Sequence, residues 1–418
     1  MMGTEAHVIR SPVYLDNHAT TPCDPRVVAA MLPYFSEKFG NAASRNHAFG
    51  WEAEEAVERG RAEVAALVGA APSEIVFTSG ATESVNLMIK GAARQYRERG
   101  DHVVTMQTEH KAVLDACRTL EGEGFRVTWL APDADGRLDP DTFAAALGPG
   151  TVLAAVMAAN NEVGTVQPIA ALSAIARTRG VLFAVDAAQA AGRLPLATLA
   201  ADVDLIALSA HKMYGPKGVG ALYVRRRPKV RLVPQIDGGG HERGLRSGTL
   251  NVPGIVGMGK AAELALVEGP VETPRIAAQR DALLEGIVGR LEGVHVNGGM
   301  AHRLAGNLNL SFDGIEGEAL LLALRDVAVS SGSACSSASI EPSHVLRALG
   351  LSAERAHASV RFGIGRFNSD EEIAFAADRV VATVTALRAS AATYEREFGA
   401  PGRVRDASPP RNEEEGHA

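Results

Sequence analysis

The chain has 418 residues, of which 46% are hydrophobic, 22% charged and 5% aromatic. This composition is typical of a globular enzyme with a large core and excludes an intrinsically disordered protein. The net charge of −7 at pH 7, with no basic block longer than Arg225–Arg226–Arg227, argues against a nucleic-acid-binding protein.

The lack of recognisable targeting signals and the small number of cysteines favour a cytoplasmic protein without membrane contact. No apolar run approaches the ~18 residues of a transmembrane helix. The first ten residues lack the basic start and apolar core of a signal peptide. The three cysteines, at positions 23, 117 and 335, leave at least one thiol unpaired and do not indicate a disulfide framework.

Strand and helix patterns alternate through the first half of the chain. The predicted strands are 74–79, 102–106, 127–130, 152–158, 181–185, 205–208 and 221–224. The predicted helices are 51–68, 85–96, 111–120, 139–147 and 169–178. This alternation predicts an α/β fold with a mainly parallel sheet covered by helices on both faces.

The residue pattern in the second half of the chain predicts a smaller α+β lobe. A long helical stretch, 256–291, leads to strands at 307–312 and 359–362 and helices at 318–324 and 370–387. We expect a large domain over 21–264 and a small domain over 1–20 and 265–395. The segment 396–418 is charged and poor in apolar residues, so we expect a disordered tail.

Lys212 lies just beyond the apolar run Leu205–Leu208, where open α/β sheets bind ligands. We predict that Lys212 holds pyridoxal 5'-phosphate (PLP) as a Schiff base. The chain has seven lysines, and the other six have less suitable positions. Lys217 lies deeper in the following turn, and Lys111 begins a helix that is expected to point it elsewhere. The remaining four, in loops or on helical faces, are Lys38, Lys90, Lys229 and Lys260.

Other strand ends provide the groups that PLP requires. Gly80, Ala81 and Thr82 open a helix and suit a phosphate, although an N-cap turn without ligand explains them equally well. Asp186 suits the pyridine nitrogen, whose protonation makes the ring an electron sink, and Gln189 suits the phenolic oxygen. A helix cap is the alternative for Asp186.

His110, Ser209 and His211 complete the predicted cofactor site. His110 lies at a strand-to-helix junction and can stack on the ring and move protons, although a structural cap is the commoner role there. Ser209 and His211 flank Lys212 closely enough to bind the phosphate.

Cys335 is a second candidate centre, within a run of small residues from Ser330 to Ser339. Such a run cannot pack a core, and a cysteine in an exposed segment is a candidate nucleophile because the thiolate is the reactive form. Cys117 shares a helical face with apolar residues and is interpreted as a core residue. Cys23 is interpreted as incidental.

Nucleotide and metal motifs are incomplete. The stretch 254–260 has phosphate-loop spacing, but Ala261 replaces the required Ser or Thr. His241 and Glu242 lack the second histidine of the zinc motif. We predict no firmly bound metal.

The ordered motifs resemble those of the cysteine desulfurases of the class V aminotransferase superfamily, housekeeping iron–sulfur-cluster-assembly type. They are YLDNHATTP (14–22), FTSGATES (77–84), TEHKAVLDACR (108–118), NNEVGTVQ (160–167), VDAAQ (185–189), SAHKMYGPKG (209–218), GGGHERGLRSGT (238–249) and SSGSACSSASIEPSHVLRALG (330–350). The resemblance covers residues 14–387. It implies the PLP-dependent transferase type I fold, with a seven-stranded sheet, and a homodimer.

The resemblance also implies a role for each matching residue. Lys212, His110, Asp186 and Gln189 keep the roles given above, and the phosphate contacts are Ala81, Thr82, Ser209, His211 and, from the other subunit, Thr249. Asn161, which also contacts the cofactor, and Arg361 would hold the substrate carboxylate. Cys335 would accept the sulfur on a long flexible loop.

The implied reaction converts L-cysteine to L-alanine and a persulfide on Cys335. Lys212 would remove the Cα proton, and the sulfur would pass to an acceptor such as an iron–sulfur scaffold or a tRNA-thiolation protein. Transient ligation of an iron–sulfur centre through that persulfide is the one metal role implied. Two alternatives stay open: a related lyase acting on selenocysteine, and a non-catalytic sulfur carrier of the same fold.

Two stretches depart from the family pattern. Ala184 stands where relatives often carry histidine, and the ending from Glu395 differs from the one that helps to dock the scaffold. We expect desulfurase chemistry to be unaffected and scaffold docking to be less well supported.

Overall fold

The structure, a computed structural model, describes residues 9–331 and 342–398. The strands are β1 Val13–Tyr14, β2 Ile75–Thr78, β3 His102–Met106, β4 Arg126–Leu130, β5 Thr151–Met157, β6 Leu182–Asp186, β7 Leu205–Ser209, β8 Gly220–Val224, β9 Val294–Val296, β10 Asn307–Phe312, β11 Val327–Ala328 and β12 Ser359–Gly363. The helices are α1 Pro25–Met31, α2 Pro33–Ser36, α3 Ala48–Val68, α4 Ala81–Gln95, α5 Lys111–Gly122, α6 Pro140–Ala146, α7 Ile169–Thr178, α8 Leu199–Asp202, α9 Val252–Val288, α10 Gly317–Ala323, α11 His344–Ala348, α12 Ala353–His357 and α13 Asp370–Phe398.

Seven strands form the central sheet in the order β2-β8-β7-β6-β5-β3-β4. All neighbours are parallel except β8, which pairs antiparallel with both β2 and β7. The predicted mainly parallel seven-stranded sheet is therefore confirmed. Because β2 runs in the same direction as β7, its carboxyl end shares an edge with those of β3, β5 and β6.

Side-chain alternation builds a separate core on each face of this sheet. In β3, Val104 and Met106 belong to one buried cluster and Val103 to the other. Successive side chains of a strand point to opposite faces, so strands covered on both sides are apolar at almost every position. Helices α3, α6, α7 and the first half of α9 cover one face, while α4 and α5 cover the other.

The smaller lobe has its own core. Strands β12, β10 and β9 form an antiparallel sheet, and the short strands β1 and β11 pair in parallel. Val13 and Leu15 from the start of the chain pack in this core with residues of α9, α10 and α13. The inclusion of residues 1–20 in the small domain stays a prediction, which the contacts of Val13 and Leu15 support.

Helix α9 belongs to both cores. Its residues up to Ala265 pack against the large sheet, whereas Leu283 and Ile287 pack in the small-lobe core. Pro270 and Pro274 lie between the two groups. The domain boundary at residues 264 and 265 stays a prediction, and this change of partners occurs just beyond it.

Two element bounds differ from prediction for identifiable reasons. Helix α4 begins at Ala81 instead of residue 85, because Gly80, with φ +154°, turns the chain directly from strand into helix. Helix α13 continues past residue 387 to Phe398, so it includes the first three residues of the predicted tail. Across the described ranges, no helix combines the length and apolar character of a membrane span.

Candidate active site

A cavity of about 450 Å³ lies at the carboxyl edge of the large sheet and extends to the small lobe. Ten of the twelve predicted site residues line it: Ala81, Thr82, His110, Asn161, Asp186, Gln189, Ser209, His211, Lys212 and Arg361. Thr249 is exposed and is not part of this lining. Cys335 lies outside the described residues.

Lys212 follows β7 in a single 3-10 turn, Ala210–Lys212. Its Nζ donates to the carbonyl oxygens of His18 and Ala19, each at 2.6 Å. Lys111 and Lys217 also line the cavity, so the prediction that Lys111 points elsewhere is wrong. Both are exposed, whereas Lys212 is half-buried, and it is the most enclosed of the three amines.

Asp186 ends β6, and its side chain is buried at the cavity wall. Burial raises the pKa of this carboxyl, while the hydrogen bond from Ala188 N and the nearby charge of Lys212 lower it. Oδ1 accepts from Ala188 N at 2.9 Å, so Asp186 caps a turn and not a helix. A buried carboxylate is stabilised by a cationic partner, which a protonated pyridine nitrogen would supply.

The start of α4 provides a suitable site for an anion. The first N–H groups of a helix have no intrahelical acceptor, and the helix dipole favours negative charge there. Ala81 and Thr82 are the first two residues of this 15-residue helix. Across the cavity, burial together with Lys212 and Lys217 lowers the pKa of His211 to about 4, so its ring is neutral at pH 7.

His110 has both of the roles considered for it. It is the N-cap of α5, with Nδ1 accepting from Ala112 N at 3.1 Å, and its ring also lines the cavity. Because Nδ1 is an acceptor, the neutral ring carries its proton on Nε2.

Arg361 lies in β12 with only 1% of its surface exposed. Nη1 donates to Asn161 O at 2.8 Å, and Nη2 donates to Asp16 Oδ1 at 2.7 Å. Its Nε is buried without a hydrogen-bond partner among the described residues. A guanidinium held in this way retains donor capacity for a carboxylate.

The two ends of the segment that contains Cys335 are attached beside Arg361 and at the cavity rim. On one side, Ser330 pairs with the Arg361 backbone, and its Oγ donates to Asp16 Oδ2 at 2.6 Å. On the other side, the Ser343 hydroxyl donates to Glu162, and His344 Nε2 lies 3.0 Å from Glu109 O.

Sequence reasoning missed three buried residues at the site. His18 lines the cavity and has 1% exposure, and Glu162 lies beside Asn161. Glu109, which precedes His110 in the chain and is fully buried, accepts from Met157 N at 2.9 Å, and burial raises its pKa well above the usual range. The only sequence signal for all three was their position inside the quoted motifs.

The family model for class-V aminotransferases matches residues 13–375. The chain belongs to this family. Curated relatives named cysteine desulfurase IscS include one from Anaeromyxobacter sp. (strain Fw109-5), 60% identical over 93% of this chain and 96% of the relative. Another, from Methylobacillus flagellatus, is 56% identical over the same shares.

Solved structures of related proteins have the same fold as this chain. A NifS-like protein superposes with a TM-score of 0.84 at 36% identity, covering 90% of this chain and all of the other. A structure titled SspA in complex with cysteine has a TM-score of 0.76 at 38% identity, covering 85% and 100%. The predicted PLP-dependent cysteine desulfurase of the IscS type is therefore confirmed.

The cavity residues fit PLP. An anion site at a helix start, a buried carboxyl that needs a cationic partner and an enclosed lysine converge on one cavity. Together these are the groups that this cofactor requires.

Proposed function

We propose that the cavity around Lys212 removes sulfur from L-cysteine and that Cys335 accepts it as a persulfide. The observation that carries the proposal is the convergence of ten predicted site residues on one cavity, with both ends of the Cys335 segment attached near it. Three residues lie between Ser331 and Cys335, so four Cα-to-Cα steps join them. At ~3.6 Å per extended residue, Cys335 lies within roughly 14 Å of Ser331.

In this proposal each side chain has a defined task. PLP, when bound, withdraws electrons from the substrate carbons and thereby weakens the carbon–sulfur bond. Arg361, with Asn161 beside it, binds the substrate carboxylate, and Asp186 keeps the pyridine nitrogen protonated. Lys212, once displaced from the cofactor, removes the proton from Cα.

Sulfur transfer is completed by Cys335. Its thiolate attacks the substrate sulfur, so a sulfur–sulfur bond forms while the carbon–sulfur bond breaks. The electron pair of the broken bond remains on the carbon skeleton, which takes up a proton at Cβ, regains at Cα the proton that Lys212 removed and leaves as L-alanine. The neutral His110 ring, protonated on Nε2, is a suitable proton donor in the cavity.

We also propose a homodimer in which the partner's Thr249 completes the phosphate site. Support comes from the exposed position of Thr249 and from five large apolar side chains between residues 32 and 51 that are each more than half exposed. This set, called the apolar patch, consists of Leu32, Phe35, Phe39, Phe49 and Trp51, of which Phe39 and Phe49 stack on each other. Such patches on soluble chains mark interfaces.

The physiological acceptor of the persulfide is proposed to be an iron–sulfur scaffold or another sulfur-accepting protein. Sulfur on a segment attached at the cavity rim can be presented to a second protein without release of free sulfide. Transient ligation of an iron–sulfur centre by this persulfide would be part of that transfer.

A single-turnover experiment tests the role of Cys335. The holoenzyme is mixed with one equivalent of L-cysteine, and we expect one alanine per site and a gain of one sulfur atom on the Cys335 peptide by mass spectrometry. Cys335→Ser should abolish both, whereas Cys23→Ser and Cys117→Ala should not. Full sulfide release by Cys335→Ser would overturn the proposal, and full activity of that variant on selenocysteine alone would favour the lyase alternative.

A further inference from the structure

Arg193 lies behind the cavity wall, and no carboxylate of residues 9–331 or 342–398 pairs with it. Its Nη1 donates to Gln189 Oε1 at 2.7 Å and to Gln189 O at 3.2 Å, and its Nη2 donates to Asn17 O at 2.7 Å. Within the described ranges it forms no ion pair, in contrast to Arg361, which has Asp16. Burial lowers its pKa, yet an arginine side chain remains charged at neutral pH. Among the described residues, the hydrogen-bond partners of this positive charge are therefore amide and carbonyl oxygens.

This contact determines the orientation of the Gln189 amide. A guanidinium can only donate, so the atom that Arg193 contacts must be the oxygen of the amide. The nitrogen, Nε2, then donates to His18 O at 2.9 Å and retains a second N–H group. Gln189 is 95% buried and lines the cavity, so this amide is available to a ligand there.

The same reasoning determines the protonation of His18. Its Nδ1 lies 3.1 Å from Gln189 Oε1, which can only accept, so Nδ1 carries the proton. Burial and then Arg193 lower the pKa of His18 well below its usual value, so the ring is neutral. Two donors, Arg193 and His18, therefore converge on one amide oxygen, and a rotated amide would lose both contacts.

We propose that Arg193 is a positioning residue for the cofactor, acting through Gln189. By holding the amide oxygen, it would leave the second N–H of Gln189 to donate to the phenolic oxygen of bound PLP, and its charge would stabilise negative charge on that oxygen. This inference rests on the proposed role of Gln189 in the desulfurase site.

The inference has a spectroscopic consequence. The visible absorbance of lysine-bound PLP changes when the lysine–cofactor linkage loses its proton. A nearby positive charge disfavours the protonated linkage and lowers the midpoint of this change. Removal of the charge should therefore raise the pH midpoint of the absorbance change. The loss of one cation from a partly buried site predicts a rise of roughly one pH unit. The variants leave unchanged the other ionisable groups that line the cavity, which are His18, Glu83, His110, Lys111, Glu162, Asp186, His211, Lys217, His344 and Arg361.

The test is a pH titration of the visible absorbance of the holoenzyme. Arg193→Met should raise the midpoint by roughly one unit, and Arg193→Lys should keep it near the wild-type value. Arg193→Gln, which retains donor groups and loses only the charge, covers the case in which the methionine variant does not fold. Arg303→Met is the matched control, because Arg303 is also buried without an ion pair among the described residues and does not line the cavity.

A double variant tests whether Arg193 acts on the absorbance midpoint through Gln189. In a Gln189→Leu background the direct effect of the charge remains and the effect through the amide is lost, so Arg193→Met should shift the midpoint by less than it does in the wild type. A wild-type midpoint in both Arg193→Met and Arg193→Gln, or an equal shift in Arg303→Met, would overturn the inference. Failure of the proposed function is distinguishable, because the wild-type protein itself would then form no visible cofactor band or release no alanine.

Discussion

The Asp16 carboxylate joins Arg361 to the start of the Cys335 segment. Its Oδ1 accepts from Arg361 Nη2 at 2.7 Å, and its Oδ2 accepts from Ser330 Oγ at 2.6 Å. One side chain thus holds both the proposed substrate-binding group and the chain that leads to the proposed sulfur acceptor. This ion pair is well buried, with 2% of the arginine side chain exposed, so it depends little on salt.

Arg361→Lys should impair substrate binding. A lysine cannot bind Asp16, Asn161 O and a carboxylate at once, because it lacks the planar fork of donors. Loss of one or two charge-assisted hydrogen bonds, about 1.5–3 kcal/mol each, predicts a drop in kcat/KM of roughly 10²-fold or more, mainly through KM. Steady-state alanine release measures this, and an unchanged KM for L-cysteine would remove Arg361 from the substrate site.

The three cavity lysines can be separated by covalent trapping. Borohydride reduction of the holoenzyme should fix the cofactor to one peptide, which we expect to contain Lys212. Lys212→Ala should lose the adduct and slow alanine formation by at least ~10³-fold, because this amine both holds the cofactor and moves the proton. Lys111→Ala and Lys217→Ala are the matched controls, and an adduct on either of these lysines in the wild type would contradict the assignment.

His211 should make the cofactor-free protein sensitive to acid. Its folded-state pKa is about 4 against a usual 6.5, so the unfolded chain binds the proton more readily. Its stabilising contribution is complete above pH 6.5 and declines as the pH falls towards 4. Urea unfolding at pH 7.5 and pH 5 should show a smaller pH-dependent loss for His211→Asn than for the wild type. Equal losses in the two proteins would place the titration elsewhere.

Glu242→Gln should destabilise the fold strongly. Arg61 binds both oxygens of Glu242 at 2.7 Å, and Phe77 N donates to the same carboxylate, with both charged side chains at most 4% exposed. Breaking a buried pair from one side costs about 3–5 kcal/mol. Glu58→Gln is the matched control, since Glu58 pairs with the same arginine but is 57% exposed, and we expect a loss below ~1 kcal/mol. Denaturant unfolding compares the two variants.

A charge in the apolar patch should disturb self-association. Phe39 and Phe49 stack with ring centroids 5.4 Å apart while both remain more than half exposed. Phe39→Asp should shift the protein towards monomer in analytical ultracentrifugation, because an interface core does not accept an unpaired carboxylate. Leu322→Asp, on an equally exposed residue of the small lobe, is the control. A Phe39→Asp protein that associates like the wild type would exclude the patch as the dimer interface.

Local sequence periodicity predicted the bounds of the helices and strands well where the apolar pattern matches the buried positions. Strands β3 and β10 and helix α7 have the predicted bounds, since their apolar runs end at polar or turn-forming residues. The start of α4 was displaced because a glycine at positive φ replaced the expected turn. The antiparallel direction of β8 could not be read from its apolar run, because strand composition does not encode the direction of pairing.

The sequence alone determined the chemistry of the site, because the residue types that PLP and a sulfur acceptor require stand at strand ends and in motifs. It thereby predicted the α/β class, the cofactor and the desulfurase family, and these predictions are confirmed. Only the tertiary structure decided which distant groups meet. It placed Asp16 against Arg361, Arg193 and His18 against Gln189, and Lys111 at the cavity. These contacts join segments up to 345 residues apart, and packing between separate elements creates them, which no local pattern records.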